Sequence, residues 1–395
     1  MGTSDNNLQE LMGLAQTAGV KVLNFIYHRK DNLNAAHYIS SGKMGEINSA
    51  IDREQANLLI FNNELSPAQH RNLEQKLDIK VIDRTQLILD IFARHAHTRE
   101  SKLQVELAQL QYMLPRLKGK GIELSRLAGG IGTRGPGETK LEIDRRRIEN
   151  KIHRLKSKLA GIKKNREVQR SSRQDPVISL IGYTNAGKSS LLNQLTEAET
   201  LVADRLFATL DSTLRSLVLP IGRKVIISDT VGFIDKLPHQ LVASFRASLE
   251  EIKNSALLIH VIDGTNTDIT RRIRVINEVL KDLNIRDKDI IRVFNKVDII
   301  DKSRQKELSF VYPDANFISA LTGTGKKELL EQITAVISKG MRKVNLTLPY
   351  EKAHFVEIIH ESGRVDKEKY QNDGIEITAF IPAKLARQLS PYRQN

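Results

Sequence analysis

Eight consecutive residues constrain this chain more than any other feature: Gly182, Tyr183, Thr184, Asn185, Ala186, Gly187, Lys188 and Ser189. They follow the apolar run Val177–Ile181 and open a stretch with helical spacing. A glycine-bearing turn between a strand and a helix aims successive backbone N–H groups into one concavity, and the helix N-terminus adds partial positive charge there. That concavity suits the phosphates of a nucleotide. Lys188 is placed to reach the β- and γ-phosphates, and the Ser189 hydroxyl to bind Mg2+. The loop also dictates the fold around it, because it works at the carboxyl end of a strand in an open, mostly parallel sheet.

The surrounding pattern agrees. Strand candidates Val177–Ile181, Lys224–Ser228, Leu257–Ile262, Ile290–Phe294 and Ala315–Ile318 alternate with helical stretches, so residues 173–340 read as a doubly wound α/β domain. Asp229, Thr230, Val231 and Gly232 end the second of these strands, with Asp229 40 residues after Ser189. Asp229 is placed to hold Mg2+ through water, and Gly232, lacking a Cβ, lets its amide approach a γ-phosphate. Asn295, Lys296, Val297 and Asp298 end the fourth strand. The Asp298 carboxylate can accept both the ring N–H and the exocyclic amine of guanine; against adenine it would be left unpaired, and that asymmetry makes specificity for GTP and GDP. Ser319, Ala320 and Leu321 follow the last strand and could set an amide on the guanine oxygen.

Between the first two motifs lie Phe207, Ala208, Thr209, Leu210 and Asp211. Thr209 is the candidate for a second Mg2+ hydroxyl and γ-phosphate sensor; Thr213 competes with it, and both also read as surface-loop threonines. Lys188, Thr209 and Gly232 are thus the catalytic candidates. Phe233 stands after Gly232, where many GTPases keep a Gln that orients water. Phe cannot do so, which implies slow intrinsic hydrolysis unless another group or a partner positions the water. The amide oxygen of Asn185 could help to hold K+; as a plain turn residue it would do nothing of the kind.

The rest of the chain adds three parts. Residues 1–93 alternate strand signals (Val20–Ile26, Asn57–Phe61, Lys80–Asp83) with helices from Lys43 and from Ser66-Pro67, predicting a small α/β domain with parallel strands. Residues 94–172 carry leucines and isoleucines at three- and four-residue spacing on either side of a segment, Leu127–Lys140, whose five glycines and one proline exclude regular structure. This predicts an antiparallel helical hairpin joined by a flexible loop. Between Arg94 and Arg170 stand 20 Lys and Arg against 8 Asp and Glu, a surplus of +12 out of +14 for the whole chain. So concentrated a charge favours a polyanion, and nucleic acid before anionic lipid or a merely solvated face. Residues 341–395 predict a small α+β tail from Val344–Leu348, a helix near Lys352–Glu361 and Gly374–Ile381. The absence of cysteine excludes disulfides, thiolate metal sites and Cys nucleophiles. With no apolar run of about 18 residues and no signal-peptide pattern, a cytoplasmic location is expected and membrane association is not.

Taken in order, these motifs resemble the HflX family of ribosome-binding GTPases. The resemblance rests on Tyr38–Lys43, Ala93–Glu100, Leu107–Tyr112, the loop Gly129–Glu138 and the four nucleotide motifs. It implies an N-terminal α/β domain, a helical hairpin, a GTPase domain and a small C-terminal domain. It also implies a monomer that binds the 50S ribosomal subunit and its rRNA, without DNA sequence specificity, hydrolyses GTP when the subunit stimulates it, and splits or rescues ribosomes under stress. The loop at Gly129–Gly137 would reach towards the peptidyl transferase centre, Ser189 and Thr209 would ligate Mg2+, and Phe233 fits the family's hydrophobic residue at that place. The family's N-terminal domain has been associated with ATP, yet residues 1–93 hold no second phosphate loop. Two other readings stay open from the residues alone: a GTPase that modifies RNA or assembles ribosomes, and an ATP-driven RNA-remodelling protein.

Overall fold

The structure, a computed structural model, describes residues 2–28, 34–117, 136–171, 175–197, 206–207, 209, 211–235, 246–285 and 288–394. These form two compact units. One comprises the described residues up to 167 together with Leu206, Phe207, Thr209 and Arg246; the other comprises the rest.

In the first unit, β1 (Leu58–Phe61) and β2 (Lys80–Asp83) pair in parallel, joined through the helix Pro67–Leu77. That helix starts where its sequence says it must. Ser66 Oγ accepts from Gln69 N–H at 3.2 Å, Gln69 Oε1 accepts from Ser66 N–H at 3.0 Å, and Pro67 needs no donor in the first turn. The strand expected at Val20–Ile26 is not formed. Strand-like residues need a partner edge, and β1 pairs with β2 alone, while the Phe25 amide turns to the Asn24 side chain at 2.8 Å.

The helices Arg99–Met113 and Pro136–Ser171 pack through Leu107, Ile152 and Leu155, flanked by Leu103, Leu110, Leu114, Ile148 and Leu159. Glu106 pairs with Lys151 at 2.5 Å and Glu100 with Arg166 at 2.7 Å, which makes the hairpin antiparallel as expected. The glycine-rich segment is shorter than its composition implied. Pro136 opens the second helix, so residues 136–140 are helical; proline at a helix start loses no hydrogen bond and pre-sets the backbone. The loop at Gly129–Gly135 lies outside the described residues.

The second unit is built on a six-stranded sheet in the order β4-β5-β3-β6-β7-β8. Its strands are β3 (Val177–Gly182), β4 (Thr213–Val218), β5 (Lys224–Asp229), β6 (Leu257–Asp263), β7 (Ile290–Asn295) and β8 (Asn316–Phe317). All neighbours are parallel except β4, which is antiparallel to β5. The central strands are apolar runs because helices cover both faces. The edge strand β4 escaped the sequence reading because it carries no buried stripe: Leu214 and Val218 are exposed. Its turn was the available signal, since Pro220-Ile221-Gly222 closes a hairpin in which Gly222 sits at φ +80°. Thr213 is therefore not a loop threonine; it pairs with Asp229 in the ladder.

The C-terminal part is an antiparallel sheet, β10 (Arg364–Gln371), β11 (Gly374–Pro382) and β9 (Met341–Leu348), with β11 in the middle. The helices His354–Ser362 and Ala383–Gln388 cover one face, closing a core of Val344, Leu346, Ile377, Ala379 and Ile359. β10 was not expected from a run as charged as Arg364–Gln371; the two-residue turn Asn372-Asp373 before Gly374 marks it.

Candidate nucleotide-binding site

β3 delivers the chain into a loop at the centre of the sheet, and the helix Lys188–Thr196 leaves from it. Gly187 takes φ +87°, and a Cβ there would strike the Asn295 side-chain amide, so glycine is required twice over. Asn185 also lies in the left-handed region, at φ +61°, where Asn is tolerated; it is exposed. Lys188 is buried, and Nζ donates to the carbonyls of Gly182 at 3.2 Å and Tyr183 at 2.9 Å. Burial pulls its ammonium down to a pKa of about 8, against the opposing pull of Asp229. The Ser189 hydroxyl donates to Asp229 Oδ2 at 2.6 Å, bringing the phosphate loop and the end of β5 together.

The Asp229–Gly232 segment is tied back to β3. Thr230 Oγ1 donates to Leu180 O at 2.7 Å, Phe233 N–H to Gly182 O at 3.0 Å, and Thr184 N–H to Phe233 O at 2.8 Å. A Cβ on Gly232 would lie 2.8 Å from Thr184 Cα and 3.1 Å from Lys188 Nζ, which is why this position must be bare. Val231 is half-buried, and Phe233 is buried. The Thr184 hydroxyl is buried and finds no hydrogen-bond partner among the described residues.

Asn295 organises the far side. It is 2% exposed; Nδ2 donates to Ala186 O at 2.9 Å, and Oδ1 accepts from Ala320 N–H at 2.9 Å. One side chain thus pins the phosphate loop to the loop after β8. Lys296 Nζ donates to Asp263 at 2.7 Å, Val297 N–H to Ile318 O at 3.1 Å, and Asp298 is exposed in the short turn Val297–Ile299. Ser319 is buried, with Thr322 N–H donating to its hydroxyl at 3.1 Å, whereas Leu321 is exposed.

Sequence reasoning missed one brace of the site and one buried titratable group of the sheet. Asp263, at the carboxyl end of β6, anchors Lys296; an acidic residue ending the strand beside β7 was the signal. His260, on β6, is buried, and desolvation, with Arg292 and Lys188 adding to it, depresses its pKa to about 3. No motif could have revealed that.

The segment with the second hydroxyl candidate is placed differently. Phe207, at φ +57°, is buried in the first unit with its ring edge-on to Phe92, centroids 4.6 Å apart, and Leu206 lies against Gly13. Thr209 belongs to the same unit and is half-buried; Asp211 belongs to the second. Ala208 and Leu210 lie outside the described residues. Three cations of the second hairpin helix are exposed. Arg145, Arg146 and Arg147 each pair within their own helix, with Glu149 at 2.9 Å, Glu142 at 2.8 Å and Asp144 at 3.6 Å.

Family models match most of the chain. Residues 5–93 match a family model described as GTP-binding GTPase N-terminal, 95–173 the GTP-binding GTPase middle region, 177–296 the 50S ribosome-binding GTPase, and 306–391 the HflX C-terminal domain. The chain is 47% identical over 392 residues to the GTPase HflX of Caldanaerobacter subterraneus, covering 98% of this chain and 90% of that protein. It is 41% identical over 376 residues to the GTPase HflX of Escherichia coli, covering 93% and 88%. Among solved structures, a GTP-binding protein from Sulfolobus solfataricus in complex with GDP is 28% identical, covers 84% of this chain and 95% of that one, and gives a TM-score of 0.43.

Proposed function

The chain belongs to the HflX family of GTPases, and on that premise we propose that it is a Mg2+-dependent GTPase of the cytoplasm, stimulated by the 50S ribosomal subunit, that splits or rescues ribosomes under stress. The observation that carries the nucleotide half of this reading is Asn295, which joins the phosphate loop at Ala186 to the base-side loop at Ala320. Phosphate and base recognition then act as one rigid frame.

Within that frame the residues divide the work. Lys188 exchanges its two carbonyl partners for phosphate oxygens, and the amides from Tyr183 to Ser189 surround the β-phosphate. The Thr184 hydroxyl, a buried orphan beside Gly232, gains a partner when the site fills. The donor set suits Mg2+: the Ser189 hydroxyl and the Asp229 carboxylate are hard oxygens already within 2.6 Å of each other. Ser189 and Thr209 would hold the ion, with Asp229 acting through water; when bound, it neutralises charge on the β- and γ-phosphate oxygens. Asn185 would help to hold K+ at the same phosphates. Gly232 N–H reaches the γ-phosphate, while Phe233 has no polar atom with which to orient water. A group on the ribosome supplies that orientation. Loss of the γ-phosphate frees Thr209 and the Asp229–Gly232 segment, the order–disorder switch of nucleotide hydrolases. The hairpin cations meet rRNA phosphates, and the protein acts as a monomer without reading DNA sequence.

GTP turnover measured with and without 50S subunits tests this reading. Subunits are expected to raise the rate by about 10² or more, the scale of one supplied transition-state interaction. Equal rates would sink partner-assisted hydrolysis. Sedimentation with 30S, 50S and 70S particles in GTP, GDP or a non-hydrolysable analogue identifies the state recognised.

A further inference from the structure

The three-stranded sheet of the C-terminal part has one face covered by helices and one that no described helix covers, and this open face is not neutral. Alternation along β9 and β11 buries Val344, Leu346, Ile377 and Ala379 under the helices, which turns Lys343 and Phe380 to the other side. Register places Arg364, Phe380 and Lys343 in one row across the sheet. The guanidinium of Arg364 stacks 4.6 Å from the Phe380 ring centroid, and Lys343 Nζ lies 6.0 Å from it on the opposite neighbour strand. The next rows add Lys367 beside Thr378 and Lys369 beside Glu376. All four cations are exposed. The acids nearby are partly engaged: Asp366 accepts from Arg364 Nε at 2.9 Å, and Glu376 accepts from Gln394 Nε2 at 3.1 Å.

We propose that this face is a binding platform for single-stranded RNA, with Phe380 and the Arg364 guanidinium as the stacking surface for bases and Lys343, Lys367 and Lys369 as phosphate partners. An aromatic on the central strand of an open antiparallel sheet, ringed by cations, matches what an unpaired nucleotide offers: a flat base and a charged backbone. An acidic protein surface would meet the lysines but has no use for the ring, so the central aromatic favours the strand. The choice of RNA over other polyanions rests on the ribosomal reading above, and the nature of the face does not.

The test uses the full chain and a fluorescent eight-nucleotide single-stranded RNA containing 4-thiouridine. Photo-cross-links are expected on peptides from β9, β10 and β11. Phe380→Leu should weaken binding by about 5- to 100-fold, the effect of losing one base stack, and Phe380→Tyr should restore it. Lys343→Ala with Lys367→Ala should reduce the salt dependence. Basal GTP turnover reports folding of each variant; if Phe380→Leu fails to fold, the lysine pair and the cross-link map still decide. Cross-links confined to the helical hairpin would overturn the proposal. So would wild-type affinity in both Phe380→Leu and the lysine pair, or competition by polyglutamate with no effect of Phe380→Leu. Sedimentation with 50S subunits runs alongside. Wild-type protein that binds the strand but not the subunit overturns the ribosomal reading and supports this one; the reverse overturns this one alone.

Discussion

Among the nucleotide loops, Asn295 is 2% exposed and bonds two loops at once. Along the second helix of the hairpin, Arg146 and Arg147 are 73% and 77% exposed and pair with acids one turn away on the same helix. A buried hydrogen bond leaves two orphaned groups when broken, so it fixes geometry at about 1–3 kcal/mol per group. An exposed intrahelical pair contributes about 0.3–0.5 kcal/mol and is screened by salt, so its members can change partners at little cost. The first region is therefore held in one geometry, whereas the charges of the second can change partners at little cost.

The largest effect should come from breaking the first kind of bond. Asn295→Ala orphans Ala186 O and Ala320 N–H, and nucleotide affinity should fall by roughly 10² to 10³ with both loops loosened. Calorimetric titration with GDP reads this; an affinity within about threefold of wild type would mean the brace is idle. Next comes base choice. Asp298→Asn faces guanine with a donor where an acceptor is needed, so GTP affinity should drop by on the order of 10² while xanthosine triphosphate gains. Retained GTP preference would remove Asn295–Asp298 from the base site.

A third effect tests burial through protons. Lys188 sits near pKa 8 because burial disfavours its charge. Phosphates favour the charged form and raise that value, so below about pH 8 binding takes up no proton. Above it, binding must, and affinity should fall by up to about tenfold per pH unit. A flat profile from about pH 7 to about pH 9.5 would contradict a buried, half-discharged lysine. The same burial has a folding consequence: between about pH 8 and the ordinary lysine range the unfolded chain binds the extra proton, so this group makes the empty protein more stable as pH rises.

The smallest effects on the fold belong to the hairpin. Arg145, Arg146 and Arg147 changed together to Ala should shift stability by no more than about 1 kcal/mol and leave GDP affinity unchanged. The same change should flatten the salt dependence of 50S binding by roughly 0.7–0.9 log units for each phosphate that is no longer neutralised. Unaltered binding across salt would show that these charges are merely solvated.

Most of the nucleotide site was legible in the sequence because its parts are local. A turn needing left-handed backbone at Gly187, a bare position at Gly232 and a strand ending in Asp229 each declare themselves within a few residues. The parallel core was legible for the same reason, since strands buried on both faces read as continuous apolar runs. The two strands that escaped, β4 and β10, have sides without a buried partner: β4 is an edge, and β10 borders the open face. Many of their side chains face solvent, and their turns announced them.

What tertiary structure alone decided is the set of relations across long sequence separations. Nothing local joins Asn295 to Ala186, 109 positions apart, or sets Lys296 on Asp263. Nothing local seats Phe207 beside Phe92. Nor could periodicity show that Arg364 and Lys343 flank Phe380, because register between strands is settled by the pairing itself. The chain alone determined which groups are candidates for the chemistry, since backbone preference and side-chain type are properties of short segments. Folding decided which of those groups are dry, which are braced and which face water. Burial is a property of the whole packed assembly, and it is burial that sets the charge of Lys188 and His260.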